Sequence, residues 1–104
     1  MDEKLKLIKS VICEVVGDRL EKTILFGSRA RGEGSSLSDY DILVVLKDDA
    51  GSGEKIDIAE SIRGELAELG VDADIIVKTR RDVEYLSDKI GSLVRAALEE
   101  GTVF

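Results

Sequence analysis

The run "ILVVL" at positions 42–46 constrains the fold more than any other feature of the chain. Such a short apolar run, with no polar alternation, suits a strand better than a helix, and that strand needs cover on both faces, which puts it in the middle of a sheet. The flanking sequence supplies what a central strand requires. Leu5, Ile8, Ile12, Val15 and Val16 recur at helical spacing, with Lys4, Lys6, Lys9 and Glu14 largely off that face, so a helix is expected over 2–16, closed by Gly17. "TILF" at 23–26 is short, β-branched or aromatic, and ends at Gly27, as a buried strand would. "GEGSSLS" at 32–38 reads as a flexible loop, and "DDAGSG" breaks the central strand, which begins at Tyr40.

Ile56, Ile58, Ala59, Ile62, Leu66 and Leu69 then predict a second amphipathic helix, stopped by Gly70. "ADIIVKT" at 73–79 is a third strand, "RRDVEYLSD" and "IGSLVRAALEE" are short helical patterns, and "GTVF" suits a small edge strand. Strands alternating with helices indicate an α/β arrangement around one sheet. No repeat, low-complexity tract or linker interrupts the pattern, so residues 1–104 are expected to form one small domain.

Composition narrows the chemistry. With 43% hydrophobic and 36% charged residues the chain reads as soluble and globular. No apolar run approaches the roughly 20 residues of a membrane span. The opening "MDEKLKLIKS" lacks the basic-then-apolar layout of a signal peptide, so a cytoplasmic address and no membrane partner are expected. The single cysteine, Cys13, excludes an internal disulfide and a thiolate zinc cluster, and reads as a small apolar residue at the edge of a helix face. The absence of histidine removes Ser-His and Cys-His nucleophile pairs and histidine-ligated zinc. Chemistry must therefore run on carboxylates, hydroxyls, backbone amides and cations. A formal charge of -7 argues against long nucleic acid, which needs a broad basic face, while a few clustered arginines could still hold one small phosphate ligand.

Against that background the stretch "GSRARGEGSSLSDYD" at 27–41 poses an electrostatic puzzle. Asp39 and Asp41 are two apart at the entrance to a strand, so both project to one side and Tyr40 to the other. Two anions that close favour each other only with a cation between them, and magnesium suits oxygen ligands of this kind. The plainer account is a pair of solvated or capping residues at a loop-to-strand junction. The turn before them begins where a strand ends, and a strand followed by Gly27, Ser28 and a helical start exposes N–H groups able to receive phosphate oxygens. Arg29 and Arg31 cannot share a face; Arg31 is read as phosphate-facing or structural, with plain surface exposure as the alternative.

Known motifs can be excluded. Gly27 and Gly32 match the start of a P-loop, but Glu33 stands where lysine is required. "GEGSSL" lacks the third glycine of the dinucleotide fingerprint, and "DYDIL" lacks the later ligands of an EF-hand. In aspartyl-phosphate enzymes the Asp pair follows an apolar strand, whereas here it precedes one.

The stretch "GSRARGEGSSLSDYDILV" at 27–44 closely resembles the signature of the nucleotidyltransferase superfamily that includes polymerase β-like enzymes: G-S-x-A-R-G, a short loop, then S-D-x-D-[IL]. The similarity is strongest to the minimal nucleotidyltransferases (MNT proteins) of bacteria and archaea, whose ends the tail "LVRAALEEGTVF" also resembles. The resemblance implies a small mixed sheet flanked by helices, with Gly27 and Ser28 holding the triphosphate and Asp39 and Asp41 holding metal. It also implies a third acidic residue on a neighbouring strand. Asp74 is the choice, since it starts its apolar run as Asp41 does, and Asp72 is the runner-up.

The implied reaction is in-line attack of an acceptor hydroxyl on the α-phosphorus of a nucleoside triphosphate, ATP by family precedent. Two magnesium ions roughly 4 Å apart would be shared by Asp39 and Asp41, with Asp74 holding the one that activates the acceptor. Family precedent further implies a HEPN-domain toxin as partner, silenced by AMP transfer to a tyrosine, with the chain as antitoxin. Two other readings stay open: a catalytically weak module that neutralises its partner by docking, and transfer to a small molecule of the aminoglycoside type. Homo- or hetero-oligomer formation is likewise open. "KTRRD" at 78–82 could contact the nucleotide or a partner, or could be a solvated helix start.

Overall fold

The computed structural model describes residues 3–27 and 40–104. Ser28, Arg29, Arg31, Asp39 and the loop expected at 32–38 lie outside the described residues. Helix α1 (Glu3–Val16) leads through a 3-10 turn (Gly17–Arg19) into strand β1 (Leu20–Phe26). Strand β2 (Tyr40–Leu46), helix α2 (Ser52–Glu68), strand β3 (Ala73–Thr79), helices α3 (Arg80–Leu86) and α4 (Leu93–Glu100), and strand β4 (Thr102–Val103) follow. The four strands form one mixed sheet in the order β3-β2-β1-β4, in which β2 runs parallel to β3 and β1 antiparallel to both β2 and β4.

The apolar run behaves as its composition dictates: Ile42, Leu43, Val44, Val45 and Leu46 are all fully buried. Alternation sends Tyr40, Ile42, Val44 and Leu46 into a cluster with Leu5, Ile8 and Ile12 of α1 and Ile62 and Leu66 of α2. Leu43 and Val45 meet Ile24, Phe26 and Ala97 of α4 on the opposite face. Each such side chain taken wholly from water contributes about 1.5–3 kcal/mol, which makes β2 the anchor of both layers.

Three expectations are corrected. Strand β1 starts at Leu20, not Thr23; Glu21 and Lys22 look polar for a strand, but pairing with β2 carries them, with the register shifting between Leu20 and Lys22. Ile56 and Leu69 do not join the buried face of α2, being 58% and 54% exposed. Ile58, Ile62 and Leu66 fall four apart on that face, whereas Ile56 lies about 200° around the helix from Ile58, and Leu69 follows the last helical residue. The buried stripe of α1 also takes in Val11, which the expected face left out, while Cys13 is exposed. Among the described residues no helix is long and apolar enough to cross a membrane.

Candidate active site

Because β2 and β3 are parallel, both begin at the same end of the sheet, and the carboxylates that open their apolar runs meet there. Asp41 and Asp74 are direct partners in the β2–β3 register. Both share the face of Leu43, Val45 and Ile76, while Tyr40 turns the other way and is buried at 4% exposure in the α1–α2 core. Adjacent strands lie about 4.8 Å apart, so two like charges at partnered positions repel unless something positive relieves them. Asp72 precedes β3; its backbone carbonyl accepts from Tyr40 N–H at 3.5 Å, and its side chain, like that of Asp74, is exposed. The register thus brings Asp74, rather than Asp72, opposite Asp41.

Gly27 closes this end from the β1 side. It follows Phe26, the β1 partner of Asp41, and adopts φ +78°. A Cβ at Gly27 would stand 2.3 Å from Asp41 Oδ2 and 3.2 Å from its Cγ, so the positive φ calls for glycine and any larger residue would also displace the Asp41 carboxylate. Gly27 therefore lies directly beside a carboxylate at the start of β2.

Among the described residues no group of three or more acidic, cysteine or histidine side chains is placed to hold a metal. Asp41 and Asp74 supply two carboxylates, and Asp39, the third of the expected set, lies outside the described residues along with Ser28 and Arg31. An all-oxygen donor pair fits a hard cation, since magnesium is usually held by one or two carboxylates and completes its shell with phosphate oxygens and water.

The stretch 78–82 sits at the opposite end of β3, about 13 Å or more along the strand from Asp74. Residues 79–82 are engaged in capping α3 and in ion pairs. Thr79 Oγ1 accepts from Asp82 N–H at 3.0 Å and Asp82 accepts from Thr79 N–H at 2.9 Å, a reciprocal capping box. Lys55 of α2 bridges to Asp82 at 2.7 Å, Arg80 pairs with Glu21, and Arg81 reaches Asp49 at 3.5 Å. Burial pushes the Asp82 carboxyl up, but hydrogen bonds from Lys55 and from Thr79 together outweigh it and hold the group below the usual carboxylate range. "TRRD" is a T-x-x-D capping signal, so the helix-start role was readable in the sequence; Lys55 as its partner was not, since it comes from a different helix.

The domain model described as "Nucleotidyltransferase domain" matches residues 5–103. A Methanocaldococcus jannaschii protein provisionally named a protein adenylyltransferase is 41% identical over 46 residues, 44% of this chain and 46% of the relative. The match thus spans less than half of that relative's length. Among solved structures, a provisionally identified nucleotidyltransferase from Sulfolobus solfataricus is similar at TM-score 0.60 and 25% identity, covering 97% of this chain and 81% of the other. A chain of a toxin-antitoxin crystallised with AMP-PNP is similar at TM-score 0.59 and 21% identity, covering 98% and 72%. A chain of the complex between tri-AMPylated Shewanella oneidensis HEPN toxin and its MNT antitoxin is similar at TM-score 0.53 and 20% identity, covering 96% and 66%. The last two likenesses carry the fold alone.

Proposed function

The chain belongs to the nucleotidyltransferase domain family, and on that premise we propose that it transfers AMP from ATP to a hydroxyl of a partner protein, a HEPN-domain toxin, and so acts as a cytoplasmic antitoxin. The observation that carries the reading is the register of Asp41 with Asp74, with Gly27 at positive φ beside Asp41. A binding surface has no use for two like charges held at partnered positions, whereas a site for metal-bound triphosphate requires them. Asp41 and Asp74, with Asp39, would hold the divalent cations, magnesium by donor chemistry. Such ions, when bound, neutralise phosphate charge and polarise the α-phosphoryl group.

The remaining work falls to the chain itself. Gly27 and Ser28 receive the triphosphate tail through backbone N–H groups and a hydroxyl, and Arg31 is the further phosphate-facing candidate. The acceptor oxygen bonds to the α-phosphorus as the bond from that phosphorus to the bridging oxygen of the β-phosphate breaks, and pyrophosphate leaves. Asp74 takes the acceptor's proton. The acceptor itself comes from the partner.

The reading is tested by incubating the protein with labelled ATP, magnesium and a candidate HEPN-domain partner from the same organism. A mass gain of one AMP on the partner, absent with Asp41→Asn, is the expected result. Neutralisation without label, unaffected by Asp41→Asn, would instead establish docking alone. Label on a small-molecule acceptor would move the activity to the aminoglycoside type.

A further inference from the structure

Strand β3 is an edge strand: β2 lies on one side, and among the described residues no strand pairs with the other. Tyr40 N–H donates to the Asp72 carbonyl. Backbone groups alternate in direction along a strand, so residues 72, 74, 76 and 78 address β2, while Ile75 and Val77 present N–H and C=O outward. Natural edges are usually blunted by proline, a bulge or a charge in the middle of the strand. The centre of β3 has none of these: Ile75, Ile76 and Val77 are framed by Asp74 and Lys78. Beside this edge, between α2 and β3, lies an open groove of 320 Å³ that includes Ile56, Ala59, Ile75 and Val77 in its lining, and Ile56 is 58% exposed there.

We propose that β3 pairs antiparallel with β3 of a second copy of this chain, about a two-fold axis at Ile76. The pattern Asp-Ile-Ile-Val-Lys is complementary to its own reverse. In this register Asp74 faces Lys78 of the second copy, Lys78 faces its Asp74, and Ile76 faces Ile76. Ile75 and Val77, whose backbone groups point outward, become the hydrogen-bonded pairs. Asp74–Lys78 and Ile76–Ile76 fall at the closer non-hydrogen-bonded positions, with Cα atoms about 4.5 Å apart. The next register in either direction that keeps the backbone phase would set Ile76 against Asp74 or against Lys78. The contact is isologous and closed, and it turns the four-stranded sheet into one continuous sheet twice as wide. It also brings the ammonium of Lys78 from the second copy beside Asp74. That last consequence touches the proposed active site and rests on the function reading, whereas the association itself does not.

The test is sedimentation velocity of the full chain over a dilution series, which reads mass and is blind to nucleotide transfer. A species of twice 11.3 kDa is expected. Lys78→Asp turns two attractive pairs repulsive and weakens association roughly ten- to hundred-fold, as does Asp74→Lys. The double exchange Asp74→Lys with Lys78→Asp restores it. In a Cys13→Ala background, Ile76→Cys forms an intermolecular disulfide on mild oxidation, since a Cα separation of about 4.5 Å lies within disulfide reach, while Lys78→Cys does not. A monomer at every concentration, association indifferent to Lys78→Asp, no rescue by the double exchange, or cross-linking at 78 in preference to 76 would each overturn the proposal.

Discussion

The two ends of the β2–β3 pair treat charge in opposite ways. Where the strands end, opposite charges close on each other: Asp82 on Lys55 and Thr79, Arg80 on Glu21, Arg81 on Asp49, and Arg19 on Asp48 and Glu54. Where the strands begin, two carboxylates of like sign stand in register and Gly27 lies against one of them. The first arrangement lowers the energy of the free chain. The second sets like charges side by side at the end of the sheet where the proposed site lies. One strand pair thus carries ion pairs at one end and two like charges in register at the other.

That contrast can be broken experimentally, beginning where the effect is largest. Asp41→Asn should lower nucleotide transfer by roughly 10³-fold, the scale of losing an electrostatic stabiliser of the transition state. Its thermal midpoint should change little, because the role proposed for Asp41 is to hold a ligand. A fall in both activity and midpoint would place Asp41 among the structural charges. Gly27→Ala should cost about 1–3 kcal/mol in urea unfolding, from positive φ and the clash with Asp41, and should impair transfer as well.

At the other end, Asp82→Asn should cost about 1 kcal/mol at neutral pH through the lost capping box and should leave transfer unchanged. The Asp82 carboxyl is held below its ordinary value in the fold. Its contribution is therefore complete above the unfolded pKa of about 3.9 and disappears as pH falls through the lower folded value. The stability gap between wild type and Asp82→Asn should stay constant at neutral pH and close in acid; a gap that widens in acid would contradict the assignment. Smallest of all, Arg19→Ala should shift the unfolding midpoint less than Asp82→Asn does, and high salt should erase the difference, since the Arg19 pairs are exposed.

Local signals carried much of this molecule. "ADIIVKT" marks β3 to the residue, and Gly17 and Gly70, expected as helix stops, sit at positive φ just past α1 and α2. The five residues of "ILVVL" define a doubly covered strand because no polar side chain relieves either face. Strand direction was less legible. Nothing near Asp74 states that β3 runs parallel to β2, and without that fact Asp72 and Asp74 remain alike in spacing; the ladder, a tertiary feature, separates them. Glu21 and Lys22 were misread for a related reason, since pairing overrides weak strand propensity. Ile56 failed the other way, being apolar yet off the buried stripe.

The most direct test of the central claim is manganese binding, followed by paramagnetic resonance in the presence of a non-hydrolysable ATP analogue. Wild type and Asp72→Asn should bind the ion, and Asp41→Asn and Asp74→Asn should lose most of that binding. Retained binding in Asp74→Asn with loss in Asp72→Asn, or no binding by the wild type, would contradict a metal site at the paired start of β2 and β3.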